Sequence, residues 1–146
     1  MAETLPTRIQ LELVAPARPV VRGAVLEVSL PGKTGYLGVL PGHAPLLTEL
    51  KPGELAYTEE NGTAHYVAVN WGFAEVLPNR VIVLVQTSER AEEIDVERAR
   101  QSKQRAEDRL KGSAAEVDLQ RAQAALERAM ARIEVAEKAR GPSAVG

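Results

Sequence analysis

Residues Phe73 to Ala99 read FAEVLPNRVIVLVQTSERAEEIDVERA, and the chain changes character within them. Phe73–Leu77 and Val81–Val85 flank Pro78-Asn79-Arg80, two short strands around a turn. Beyond about residue 88 the strand pattern stops. Asp95 can cap a helix from about Val96 to Lys111, and Glu97 in its first turn suits the positive helix end. All five aromatics (Tyr36, Tyr57, Tyr66, Trp71, Phe73) precede this boundary, as do eight of nine prolines. Residues 89–140 instead hold 12 of the 18 Lys and Arg and 12 of the 20 acids. A Pro, Gly and aromatic half followed by an Ala, Arg and Glu half reads as strands, then helices, in segregated blocks.

Upstream, the signals are those of more strands. Ile9, Leu11 and Leu13 alternate with Gln10 and Glu12, the period of a half-buried strand. Val21–Leu30, Tyr36–Leu40 and Leu46–Leu50 follow. Glu54–Thr58 and Ala64–Asn70 flank Glu59-Glu60-Asn61-Gly62, whose Asn-Gly pair tolerates the positive φ of a tight hairpin. About eight strands at this spacing predict a sandwich or barrel. Downstream, Gly112-Ser113 ends the first helix, and a second spans about Ala115–Ala139 before Gly141-Pro142. Leu119, Ala122, Leu126, Ala129, Ile133 and Ala136 form a narrow seam, with Ala99, Ala106 and Leu110 as its partner stripe. The short connection predicts antiparallel packing. The fold class is therefore α+β: an antiparallel β-sandwich or barrel over residues 1–88, a two-helix hairpin over 89–140 and a flexible tail over 141–146. An Ala-rich seam buries little area, so two readings stay open: a stable hairpin packed on the sandwich, or an arm that releases and binds elsewhere.

Composition narrows function. The chain has 146 residues, is 45% hydrophobic, and carries a formal charge of -2, with a pI near 5.8. That balance gives no footprint for nucleic acid. With no cysteine there is no disulfide and no thiolate metal site. The start lacks the pattern of a signal peptide, and apolar runs fall far short of the roughly 20 residues that cross a bilayer, so membrane association is expected only through another protein.

Few residues suggest chemistry. His43 lies in the turn-rich Pro41–Thr48, and the chain's one other histidine is His65. The acids and hydroxyls show no hydrolase or metal spacing, so a His ordered in a turn is the simpler reading. The Gly32, Gly35, Gly38 trio lacks the helix and Lys-Ser/Thr pair of a phosphate loop. On the helices, Asp95, Arg98 and Arg105 lie near one flank. Arg121, Arg128 and Arg132 stack at helical spacing and repel unless answered. A helical wheel points that stripe away from the apolar seam, towards solvent, with Glu127 and Glu134 as partners, or towards another protein. A polyphosphate gripped by arginines of both helices is the third reading.

Gly35–Leu40 running into Pro41-Gly42-His43-Ala44-Pro45-Leu46-Leu47-Thr48, then Leu50-Lys51-Pro52-Gly53, Gly72–Val76, and Ile94-Asp95-Val96-Glu97-Arg98-Ala99, closely resemble the ATP synthase epsilon family over residues 7–140. The resemblance implies a ten-stranded sandwich and a non-catalytic rotor subunit of a proton-translocating F-type ATP synthase. Its implied partners are the gamma subunit, the ring of c subunits and, through extended helices, the catalytic beta and alpha subunits. The implied place is the cytoplasmic face of a bacterial inner membrane, with a plastid as the less favoured alternative. It implies no cofactor. It places the c-ring contact at Lys33, Thr34, Gly35 and Tyr36 and at the Gly42-His43 loop; Tyr36 stands where relatives often carry an acid. Some bacterial members bind regulatory ATP, and their ligand pattern falls on Glu89, Asp95, Arg98, Arg105, Arg128 and Arg132. Asn70-Trp71 replaces small residues usual in the family, and Trp71 is either core or part of the gamma contact. The competing function is a free-standing ATP-sensing adaptor. A hydrolase using His43 is the outsider.

Overall fold

A computed structural model describes residues 4–112 and 115–139. The first half folds as nine strands: β1 Ile9–Ala15, β2 Arg18–Gly32, β3 Gly35–Val39, β4 Leu46–Leu50, β5 Gly53–Glu59, β6 Ala64–Val69, β7 Gly72–Leu77, β8 Arg80–Val85 and β9 Ser88–Arg90. A single 3₁₀ turn, Ala91–Glu93, leads into α1, Val96–Lys111, and α2, Glu116–Ala139. The strand order is β1-β8-β7-β4-β2-β5-β6-β9, with β3 also on β2 and β1 closing back onto β2.

The family resemblance implies ten strands, against nine among the described residues, and β2 is the long one that bends. Its first part, Arg18–Val25, pairs with β1, while Val28–Gly32 pairs with β3. The register against β5 shifts between Val25 and Glu27, so Leu26 bulges and the strand bends without ending. One bent strand thus serves both layers of the sandwich. The sheet also continues past residue 88, because β9 pairs with β6 from Val67 to Val69. Three residues of mixed polarity carry no period of their own, so β9 was invisible in the pattern.

Alternation places the core. Ile9, Leu11, Leu13, Val28, Leu30, Leu50, Leu55, Val67, Val69, Val76, Val81 and Val83 point inward and are essentially buried. Each such side chain contributes about 1.5–3 kcal/mol relative to exposure. Gly62 turns the β5–β6 hairpin at φ +88. Gly72 is required by packing: a Cβ there would lie 1.9 Å from the Leu84 carbonyl oxygen.

The helices fold on each other as an antiparallel pair, and α2 lies against β5 and β6. Asp95 caps α1, its carboxylate accepting from the Arg98 N–H at 3.1 Å. The buried seam consists of alanines: Ala99 and Ala106 on α1, Ala122, Ala129 and Ala136 on α2. Leu119, Leu126 and Ile133, expected in that seam, lie half-buried at its margins. On its sandwich side, α2 buries Val135 against Ala68 and Ala91, with Tyr66 and Ile94 around them. The expected tail, 141–146, lies outside the described residues.

Candidate functional site

A cleft of about 500 Å³ opens between the hairpin and the edge of the sandwich. The sandwich supplies Ala68, Asn70, Thr87, Ser88 and Glu89, and the helices supply Arg105, Arg109, Arg128 and Arg132. Helical spacing explains the arginines. Arg105 and Arg109 stand one turn apart on α1, as Arg128 and Arg132 do on α2, and the antiparallel packing turns both pairs towards β9.

Charge in the cleft is unbalanced. Arg132 pairs with Glu89, Nε to Oε1 at 2.7 Å and Nη2 to Oε2 at 3.3 Å. Arg105 donates to the Ser102 hydroxyl at 3.0 Å. No carboxylate among the described residues pairs with Arg105, Arg109 or Arg128. Guanidinium groups gathered this way, with one carboxylate between them, suit an anion presenting several oxygens.

Four of the six nucleotide-pattern residues therefore meet: Glu89, Arg105, Arg128 and Arg132. Asp95 and Arg98 do not line the cleft. Asp95 spends a carboxylate oxygen on its helix cap, and Arg98 stands two turns before Arg105 on α1. The outward-pointing stripe needs correction. Arg121 is exposed, but Arg128 and Arg132 are half-buried and face the sandwich. A helical wheel takes in the partner helix alone, whereas Ala131 and Val135 show that a second surface covers α2 from the other side. The partner of Arg132 is Glu89, not Glu127 or Glu134. Arg109, i+4 from Arg105, lines the cleft without belonging to the nucleotide pattern. Asn70, Thr87 and Ser88 reach the cleft through β6–β9 pairing, which local pattern does not reveal.

The expected c-ring set is likewise divided. Lys33 and Thr34 form the β2–β3 turn, where the Lys33 N–H donates to the Glu49 carbonyl at 2.9 Å and its ammonium pairs with Glu49 at 3.0 Å. Gly35 and Tyr36 begin β3. Gly42 and His43 follow the other end of β3; the Gly42 N–H donates to Pro78 at 2.7 Å and the His43 Nδ1–H to Ala44 at 2.6 Å. At about 3.3 Å per residue, β3 holds the two groups more than 10 Å apart, at opposite ends of one strand.

A separate surface is apolar. Leu47, Phe73 and Leu84 are 70%, 55% and 52% exposed on neighbouring β4, β7 and β8. Phe73 and Leu84 line a groove with half-buried Trp71, Val14 and Pro16. Trp71 is therefore a surface-groove residue rather than core. Exposed apolar side chains gathered in this way suit burial against a partner surface or a ligand. Among the described residues no helix is long and apolar enough to cross a membrane, and no cluster of His, Asp and Glu is placed to hold a metal.

Comparison with known proteins assigns both halves. Residues 8–91 match the family described as ATP synthase, Delta/Epsilon chain, beta-sandwich domain, and residues 92–137 match its long alpha-helix domain. The ATP synthase epsilon chain of Koribacter versatilis is 51% identical over all of this chain and 99% of its own. That of Citrifermentans bemidjiense is 49% identical over 90% of this chain and 96% of its own. A chain in the Euglena gracilis mitochondrial ATP synthase assembly of OSCP, F1 and c-ring superposes with a TM-score of 0.82 at 26% identity, covering 92% of this chain and 84% of that one. A chain in the central stalk and c-ring of Tetrahymena thermophila ATP synthase shares the fold at 13% identity and a TM-score of 0.58, covering 93% and 98%. The chain belongs to the ATP synthase delta/epsilon family, as an epsilon-type subunit of the central stalk.

Proposed function

We propose that this subunit couples the gamma subunit to the ring of c subunits without catalysing a reaction itself, and that its hairpin restrains ATP hydrolysis according to the supply of ATP. The apolar face of Leu47, Trp71, Phe73 and Leu84 is the gamma-facing surface, because exposed aromatic and aliphatic groups gain most from desolvation by a stable partner. The turn Lys33–Tyr36 meets the c ring. Gly42 and His43, past the other end of β3, form a second contact with the same ring. The working place is the cytoplasmic face of a bacterial inner membrane, reached through the complex.

The cleft arginines carry the regulatory reading. A triphosphate bridging Arg105, Arg128 and Arg132 ties α1, α2 and the β9 edge together, and binds the folded hairpin alone. A ligand selective for one state shifts the balance by RT ln(1 + [L]/Kd), about 2.7 kcal/mol at a hundredfold excess over Kd. Loss of ATP then frees the helices to extend along gamma towards the catalytic beta and alpha subunits. Asp95 and Arg98 act from the head of α1, where Asp95 sets the start of the helix that presents Arg105.

Titration of the isolated chain with ATP, read as amide protection along α2, tests this. Protection rises with ATP in the wild type. Arg128→Ala weakens the apparent affinity by about tenfold or more, since a charge-assisted contact is worth about 1.5–3 kcal/mol. No change in α2 protection at millimolar ATP defeats the sensing role and leaves the stalk assignment untouched.

A further inference from the structure

Among the described residues, Glu54 is the buried charged side chain, 5% exposed at the head of β5. Neither the cleft nor the apolar face uses it. Its partner comes from the far end of α2. The Lys138 ammonium donates to Oε1 at 3.0 Å and sits 2.7 Å from Oε2, outside hydrogen-bonding geometry for the second oxygen. The same ammonium lies 5.7 Å from the centre of the Tyr66 ring. The Glu54 N–H in turn donates to the Tyr36 hydroxyl at 3.2 Å. Tyr36 starts β3 beside the β2–β3 turn, and its hydroxyl reaches Glu54 past Pro31 and Gly53. That approach is close: a Cβ on Gly53 would lie 2.7 Å from the Pro31 Cβ and 3.3 Å from the Tyr36 hydroxyl.

We propose that Tyr36, Glu54 and Lys138 form a latch that holds α2 on the sandwich and ties its release to the position of the β2–β3 turn. The latch rests on the reading of the hairpin as a moving arm, and acts apart from any ligand in the arginine cleft. Docked, Lys138 answers a carboxylate that α2 itself helps to cover. Undocked, water replaces the ammonium at no great cost, so the pair favours docking only while the carboxylate's backbone stays where Tyr36 fixes it. A partner that draws Tyr36 away from Gly53 shifts Glu54 and loosens Lys138. Contact at the turn thereby reaches a helix that the partner does not touch. The coupling is local: one side chain spans β2, one backbone amide joins it to β5, and one ion pair joins β5 to α2.

Amide exchange of the full-length chain without nucleotide tests the latch, with β7 and β8 amides as the internal standard of folding. Lys138→Met leaves the Glu54 carboxylate buried and unanswered, and raises exchange at Val135 and Ala136 by about tenfold or more after allowance for the half-exposed lysine. Glu54→Leu with Lys138→Met removes both charges and returns exchange close to the wild-type rate. Tyr36→Phe speeds exchange by about threefold, the scale of one hydrogen bond, and has no further effect on top of Lys138→Met. Unchanged α2 exchange in Lys138→Met, or no recovery in the double variant, overturns the latch. Additive effects of Tyr36→Phe and Lys138→Met overturn its link to the turn. If the wild-type α2 amides exchange only with global unfolding, the moving arm itself is wrong, whatever the variants do.

Discussion

Gly72 shows what one missing atom decides. It opens β7 opposite Val85, and its absent side chain leaves room for the Leu84 carbonyl. Gly72→Ala must push β8 away from β7 along the edge that carries Phe73 and Leu84. The expected cost is about 1–3 kcal/mol of overpacking, seen as a thermal midpoint lower by roughly 5–10 °C. A midpoint within a degree of wild type would show that the strands part freely there. Motif reading found Gly72 through its Gly-Phe neighbour, but the reason for it is a cross-strand contact. The arginines teach the same lesson. Their spacing was plain, and the polyphosphate reading was open from spacing alone. Which of them meet depended on the sandwich, a surface absent from any helical wheel. Glu54 gave no signal at all, since an acid between Gly53 and Leu55 looks like the polar step of an ordinary strand.

Among the elements, the hairpin was the most legible and the least secured. Capping by Asp95, the stop at Gly112 and the seam period placed α1 at the expected Val96–Lys111 and moved α2 by one residue. The same alanines that allow close approach bury little surface. A larger residue there should be felt at once: Ala129→Leu forces the helices apart at a position 2% exposed. Helix amide protection is expected to collapse while the sandwich melts as before, and retained protection would mean that the seam has slack. Alkaline pH offers a second probe. The hydrogen bond to Glu54 raises the Lys138 ammonium above its ordinary 10.5, against the smaller opposing effect of burial. A raised lysine stabilises the docked form fully below its unfolded pKa, and that stability is lost as pH rises through the raised value. Burial likewise raises Tyr57 above 10.0, which keeps the neutral phenol and favours the folded sandwich over the same range. Both the docked helix and the sandwich should therefore loosen above about pH 10, and Lys138→Met should remove only the helix component. Helix loosening that begins near neutrality would assign it to some other group.

For the molecule as a whole, the buried side chains outside the alanine seam form two groups among the described residues. The sandwich core runs from Ile9 to Val85 without help from the helices, while Ala68, Ala91 and Val135 make a small separate contact beneath α2. Because β9 extends the sheet to Arg90, a fragment meant to fold alone should run to about residue 93. Residues 1–93 should fold cooperatively and retain the gamma-facing surface, checked by a sigmoidal denaturant curve and by binding to gamma. A fragment that aggregates would show that covering Tyr66, Ala68 and Glu54 is a duty of the hairpin. The division into sandwich and hairpin was legible from the shift in composition. The bend that lets β2 serve two layers was not, because Val21–Leu30 holds no Pro and no turn pair to interrupt a single strand.

The parallel pairing of β1 with β8 sets a timetable. Gln10 lies against Arg80 and Val14 against Leu84, partners separated by seventy residues of chain. During synthesis β1 can find β2 almost at once, but its other edge waits until β8 has left the ribosome, several seconds later at about 5–20 residues per second. Closing so long a loop is slow beside the making of hairpins. For that interval the nascent chain exposes a strand edge carrying Ile9, Leu11 and Leu13, a template for wrong pairing with another copy. The helices emerge only after this risk has passed, onto a sheet already shut.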